Sequence, residues 1–490
     1  MGGEEHRCEW RDRAERLGAE LAELRARFVE VQGTVEKLQR HVFGQRSEKM
    51  PRVADELGIH ADPEEALAMR RANAAKRRQL VTRRIEHTVP EERRTCPKCG
   101  GHDFTPLGEG KMTELYELVP PHVERQLHVQ EKLRCRCGET ILTAEGPAKV
   151  FDRTRFGPTF MAQVAVSKCA DSIPLYRQAK AYQRTGVPVD DSTLGELFHR
   201  DAEITAPLSK RLLELVAEKE IVLADETTHR VQAKGKTRTA WLWSFIARDE
   251  AEKDLIAYVF SNSRSGETPV RVLADTTGKL VVDGYSAYNK VTVPGGRERA
   301  GCMAHVRRKF FEAQSAAPDA AKKALDFILE VYKVEHAALE NQVLGTPEHL
   351  AMRQTRSKAV TDDFKAWLEA EQPKHLPRGP MGEAIHYALA QWSPLTLFLT
   401  DARLPVDNNA SERALRVAAL GRKNFLFVGS DAAGENLAGL YSLIATCEAN
   451  GVNPTEYLAD VLIRVQTHPA SRIDELLPHR WAPHQPKPSA

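Results

Sequence analysis

Residues 278–290 read GKLVVDGYSAYNK, an apolar run (Leu280, Val281, Val282) that ends on a carboxylate, Asp283, at a glycine turn. A second run behaves alike. In EIVLADETTH, residues 220–229, Ile221 to Ala224 lead straight into Asp225. Burying an unpaired carboxylate costs several kcal/mol, so a strand that ends in Asp aims it at water, a cation or a partner. Two such endings in one chain direct the reading towards a metal.

The surroundings of these runs supply a topology. IVLADETTHRVQ, RTAWLWSFIARD and DLIAYVFSNS are β-rich runs with short polar breaks, which predicts an antiparallel meander. A helical piece follows (GETPVRVLADT, 266–276), then KLVVDG, a further short strand and a helix, AGCMAHVRRKFFEAQ. That order is the order of a ribonuclease H-like sheet, in which the first and fourth strands are neighbours. Asp225 and Asp283 would then stand side by side. Alone they would repel and one would be pushed towards its neutral form, whereas magnesium keeps both ionised as hard oxygen ligands. A third carboxylate is expected on a helix. LPVDNNASERALRVAALGRKNFLFVGSDAAGE, residues 404–435, offers Asp407 as a cap and Glu412, one turn inside, as the ligand. Arg413, Arg416, Arg422 and Lys423 add positive charge suited to phosphate. A mostly helical insert, about 312–400, separates the second and third acids.

N-terminal to this core the chain changes character several times. Apolar residues recur at steps of four and three through Trp10, Ala14, Leu17, Leu21, Leu24, Phe28, Val31, Val35, Leu38 and Val42, a heptad seam that predicts a coiled coil over 8–44 and a homodimer through it. Gly18 and Gly33 weaken it. Residues 45–94 read as a basic helical linker. From Ala66 to Arg84 there are seven basic residues and no acidic one, a run that attracts polyanions or stays solvated. Eight cysteines lie at 8, 96, 99, 135, 137, 169, 302 and 447. Four form two close pairs, Cys96/Cys99 and Cys135/Cys137, so 95–147 is read as a knuckle domain for a structural zinc ion, not a disulfide framework. The second pair is one residue shorter than Cys-x2-Cys, and His102 or His128 are alternative ligands. Residues 150–205 predict three helices: Pro158 to Ala170, one after Pro174, and one capped by Asp191 or Ser192. This is a helix-turn-helix layout, with Arg177, Lys180 and Arg184 as DNA-binding candidates. The start has no secretory pattern and nothing approaches a membrane span, so a reduced, cytoplasmic setting is expected. The net charge of +2, from 70 basic and 68 acidic residues, says little about partners.

The strings LADET, VVDGYSAY, CMAHVRRKFFEA, DNNASERALR, GRKNFLFVGS and YSLIATCEANGVNPTEYL, in that order, together with FGQRSEK and LLPHRW, resemble the DDE transposases of the insertion-sequence-66 family. The resemblance spans nearly the whole chain. It implies a catalytic, magnesium-binding triad of Asp225, Asp283 and Glu412, and two small companion proteins encoded by the same element. The fold expected is a multidomain α+β chain: coiled coil, cysteine knuckle, helix-turn-helix, a ribonuclease H-like core over 215–445 and a C-terminal helical tail, 446–490. The activity expected is binding of terminal inverted repeats and two-metal cleavage and joining of double-stranded DNA in the bacterial nucleoid. Two Mg2+ ions, with Mn2+ as a substitute, would flank the scissile phosphate. His305, Arg308, Arg416 and Lys423 are further candidates for touching DNA. Two other readings compete: a nuclease or resolvase of the same fold that cuts without joining, and a catalytically inactive DNA-binding regulator.

Overall fold

The computed structural model describes residues 53–58, 63–78, 123–134 and 141–483, and scattered positions between 13 and 35. Cys96, Cys99, Cys135 and Cys137, and most of the expected coiled coil, lie outside the described residues. The described positions between 13 and 35 are helical, and seam residues among them (Leu17, Leu21, Leu24, Phe28, Val31, Val35) are exposed. The chain divides into two compact units, 51–126 and the remainder. In the smaller unit the chain forms the helices Val53–Glu56 and Pro63–Arg78. In the larger unit, Lys132–Arg134 and Ile141–Thr143 pair antiparallel.

Three helices follow: α1 (Pro158–Cys169), α2 (Leu175–Arg184) and α3 (Asp191–Glu218). The cap of α3 is Asp190, whose carboxylate accepts from the Thr193 N–H at 2.7 Å, and neither Asp191 nor Ser192 takes that place. α3 also runs on for 28 residues, through Pro207 and beyond Arg200. Its first half buries Leu194 and Leu197 among Val150, Met161 and Val164. Its second half buries Leu208, Leu212 and Leu215 in the main core.

The strands are β1 (Ile221–Ala233), β2 (Lys236–Arg248), β3 (Asp254–Ser261), β4 (Gly278–Val281) and β5 (Arg297–Ala300), with α4 (Glu267–Leu273) between β3 and β4. They form one sheet in the order β3-β2-β1-β4-β5. β1 and β2 are joined by a two-residue turn in which Gly235 takes a positive φ of 71°. β1, β2 and β3 are antiparallel neighbours, while β4 and β5 run parallel to β1. Arg297, almost wholly buried, closes the end of α3 by donating to the carbonyls of Ala217 (2.6 Å) and Lys219 (2.9 Å). Cations belong at that end of a helix.

After β5 come α5 (Met303–Ala313) and the insert: α6 (Pro318–Glu340), α7 (Pro347–Met352), α8 (Lys358–Glu371), α9 (Pro380–Ala390) and α10 (Trp392–Thr396). Phe327, Phe364, Trp367 and Trp392 make its aromatic centre. The chain then returns to the sheet with α11 (Asn409–Phe425), α12 (Asp431–Ala449) and α13 (Pro454–Arg464). α12 covers the outer edge of β3. Ser442, Thr446 and Asn450, four residues apart, satisfy the free backbone groups of Tyr258, Ile256 and Asp254, which removes an exposed edge from solvent. The segment expected as a tail is structural: Tyr457, Leu458, Val461, Leu462, Leu476 and Leu477 are fully buried.

Candidate active site

The parallel register of β1 and β4 pairs Ile221 with Lys279, Val222 with Leu280 and Leu223 with Val281. The ladder ends there; its offset of 58, carried two residues further, runs from Asp225 to Asp283, whose charge reaches Asp225. Both are half-buried. Asp283 sits in the turn just past β4. Its Oδ1 accepts from the Tyr285 N–H at 2.9 Å and its carbonyl accepts from Arg299 at 2.6 Å. Asp225 accepts from the Glu226 N–H at 2.9 Å.

Glu412 arrives on α11, which is fastened along β1 at successive points. Asn408, buried just ahead of the helix, donates its side-chain amide to the Ala224 carbonyl at 2.7 Å. Arg422 donates to the Thr228 hydroxyl at 2.6 Å, and also to its carbonyl. Beyond the helix, Val428 pairs with β1 through Arg230 and Gln232. Arg422 is therefore a strap to the sheet and not a free cation for phosphate, contrary to the sequence reading. Asp407, expected as the cap, stands one residue ahead of it: Asn408 takes the cap position with no side-chain cap bond, while Asp407 Oδ1 accepts from the Asn409 N–H at 3.1 Å and its Oδ2 from the Tyr332 hydroxyl at 2.8 Å.

The acids feel one another. Burial, then the charges of Glu226, Asp283 and Glu412, push Asp225 up to about 7, against the pull of the Glu226 N–H. Each carboxylate is nevertheless held by a partner of its own, and among the described residues no group of three or more His, Cys, Asp or Glu side chains gathers closely enough to hold an ion. Glu412 turns to Arg308, at 3.4 Å, and lies 3.8 Å from His305 Nε2. Burial holds His305 below its ordinary value, while Asp283 and Glu412 oppose that.

Arg416 and Lys423 are exposed and share Glu412's side of α11, being four and eleven residues further on. Arg177, Lys180 and Arg184 are exposed on α2, far along the chain from these acids, and Arg177 bonds the neighbouring Tyr176 hydroxyl. Sequence reasoning passed over Glu226. It is almost fully buried, takes two bonds from Arg264 and one from the Tyr288 hydroxyl, and faces the other side of β1 from Asp225. The doubled acid in LADET and the second tyrosine of GYSAY were its signals. Asn408 was equally legible, as the middle residue of DNN.

Residues 153–436 match the model of the transposase IS66 family, residues 442–479 the IS66 C-terminal element, and residues 93–138 the zinc-finger binding domain of transposase IS66. Uncharacterized protein y4hP of Sinorhizobium fredii is 32% identical over 93% of this chain and 89% of its own. Uncharacterized protein y4qI of the same organism is 35% identical over 81% of this chain and 75% of its own. With a family model matched over more than half of its length and a relative aligned along nearly all of it, the chain belongs to the IS66 transposase family.

Proposed function

We propose that this protein is a DDE transposase that binds the terminal inverted repeats of its element, cleaves DNA strands and joins the freed ends to target DNA. The observation that supports this most is the β1–β4 register, whose offset, carried two residues past its last pair, runs from Asp225 to Asp283, with Glu412 on α11, the helix strapped along β1. Three antiparallel strands followed by two parallel ones also favour a ribonuclease H-like core.

The donor types suit hard divalent cations: all oxygen, all acidic, and with Asp225 raised by burial and then by its acidic neighbours. Asp225, Asp283 and Glu412 would hold Mg2+, or Mn2+ in its place. When bound, such ions supply charge neutralisation and Lewis-acid activation of the attacking and leaving oxygens. The chain's own residues do the rest. Arg299 and Tyr285 fix the Asp283 turn. Arg416, Lys423, Arg308 and His305 would bear on the DNA backbone beside the acids, and Arg177, Lys180 and Arg184 on flanking duplex. Cys96, Cys99, Cys135 and Cys137 would hold a structural zinc ion within the segment that matches the zinc-finger domain. The exposed heptad positions from Leu17 to Val35 suit a second copy of this chain, as acting on two element ends requires. Companion proteins from the same element, as the family resemblance implies, would complete the assembly in the nucleoid. Among the described residues no helix is long and apolar enough to cross a membrane.

The test is incubation of the full chain with a labelled element-end duplex, with and without Mg2+, reading nicked and joined products. Metal-dependent nicking and joining support the reading. Nicking without joining of pre-cleaved ends would replace it with a nuclease, and end-binding with no nicking would replace it with a regulator.

A further inference from the structure

The helical insert touches the turn that carries Asp283. Tyr387, on α9, accepts a hydrogen bond on its phenolic oxygen from the Gly284 N–H at 3.1 Å. A Cβ on Gly284 would come within 2.7 Å of the Tyr387 ring, so the glycine is what allows this approach. Lys309 of α5 lies 4.8 Å from the centroid of the same ring, fixing it between α5 and the turn. The two ends of the turn are held independently. Arg299 of β5 grips the carbonyls of Asp283 (2.6 Å) and Tyr285 (2.7 Å). Tyr387 grips the N–H between them.

We infer that Tyr387 is a positioning residue for Asp283: through Gly284 it fixes the peptide that sets the direction of the Asp283 carboxylate, and so gives the helical insert a part in the metal site. The inference rests on the reading of Asp283 as a metal ligand. A loose peptide after Asp283 lets the carboxylate rotate away from its partners, which weakens cation binding before it alters DNA binding. The role belongs to the hydroxyl, because the ring alone can fill the space but cannot hold the N–H.

The experiment uses the full chain without DNA, titrated with Mn2+ and read by electron paramagnetic resonance. Tyr387→Phe keeps the ring and removes the acceptor. It should weaken Mn2+ about two- to tenfold, the weight of one hydrogen bond. Its unfolding temperature should stay near wild type, and cleavage of the labelled element end should recover as Mn2+ is raised. Gly284→Ala displaces the same contact from the opposite side and should weaken Mn2+ as well. If both variants bind Mn2+ like wild type while Asp283→Asn loses it, this inference is overturned and the metal assignment stands. If Asp283→Asn also binds Mn2+ like wild type, the metal assignment itself falls.

Discussion

Asn408 donates its side-chain amide to the carbonyl of Ala224 at 2.7 Å, so the helix that carries Glu412 is pinned to the strand that carries Asp225 one residue short of the acid itself. The bond is buried at both ends, where a lost partner leaves a carbonyl with no water to replace it.

Asn408→Ala should therefore cost about 1–3 kcal/mol in urea unfolding, the range for orphaning a buried acceptor. Asn408→Asp should be worse, since it turns an acceptor towards a carbonyl. Cleavage should fall in both. Wild-type cleavage by the Asp variant would remove Asn408 from the support of the site.

Asp283→Asn and Glu412→Gln should each bind the terminal repeats with wild-type affinity in a gel-shift assay and show no metal-dependent nicking. The basis is local: the charges of both side chains reach Asp225, and neither lies on α2 with Arg177, Lys180 and Arg184. Nicking at wild-type rate by either variant would strike it from the triad.

Asp201 gives a pH test away from the site. It is fully buried on α3 with neither carboxylate oxygen hydrogen-bonded, and burial holds it well above the ordinary 3.8. The folded chain thus keeps a proton that the unfolded chain releases, so stability falls as pH rises from about 4 through the folded value. Asp201→Asn has no such proton. Its gain in stability over wild type should be smallest near pH 4 and grow by up to about 1.4 kcal/mol for each pH unit above it. Thermal unfolding across that range reads it; a constant difference would contradict the buried, protonated acid.

Arg353 holds the insert to the segment that leads back to the core. Its guanidinium, 1% exposed, takes both oxygens of Glu335 at 2.8 and 2.6 Å, and donates to the carbonyls of Phe398 and Asp401. Arg353→Met leaves Glu335 without that partner and should cost about 3–5 kcal/mol. Adding Glu335→Gln should return part of it. Chemical denaturation of the two variants decides this, and an undiminished single variant would contradict the pairing.

The parts that were legible in sequence are those where local pattern and chemistry coincide. Apolar runs ending on Asp225 and Asp283 implied neighbouring strands, and the register of β1 and β4 is that arrangement. The short helices α1 and α2 followed from Pro158, Pro174 and Gly186. What escaped was carried by long-range partners. The end of α3 could not be read at Arg200, because its continuation depends on Leu208, Leu212 and Leu215 meeting a sheet further along the chain. Arg422 looked like a free cation until β1 supplied Thr228. The segment after residue 446 looked like a tail because nothing in its own pattern says that Leu462 packs beside Met161 and Leu194.

The length of α3 has a mechanical consequence. One helix of 28 residues, about 42 Å at 1.5 Å each with Pro207 inside it, joins the small bundle of α1 and α2 to the sheet, and α13 returns from the far end of the chain to grip the same bundle. Two attachments leave no swivel between them. A torque applied at the basic face of α2 is delivered to the sheet to which Asp225 belongs.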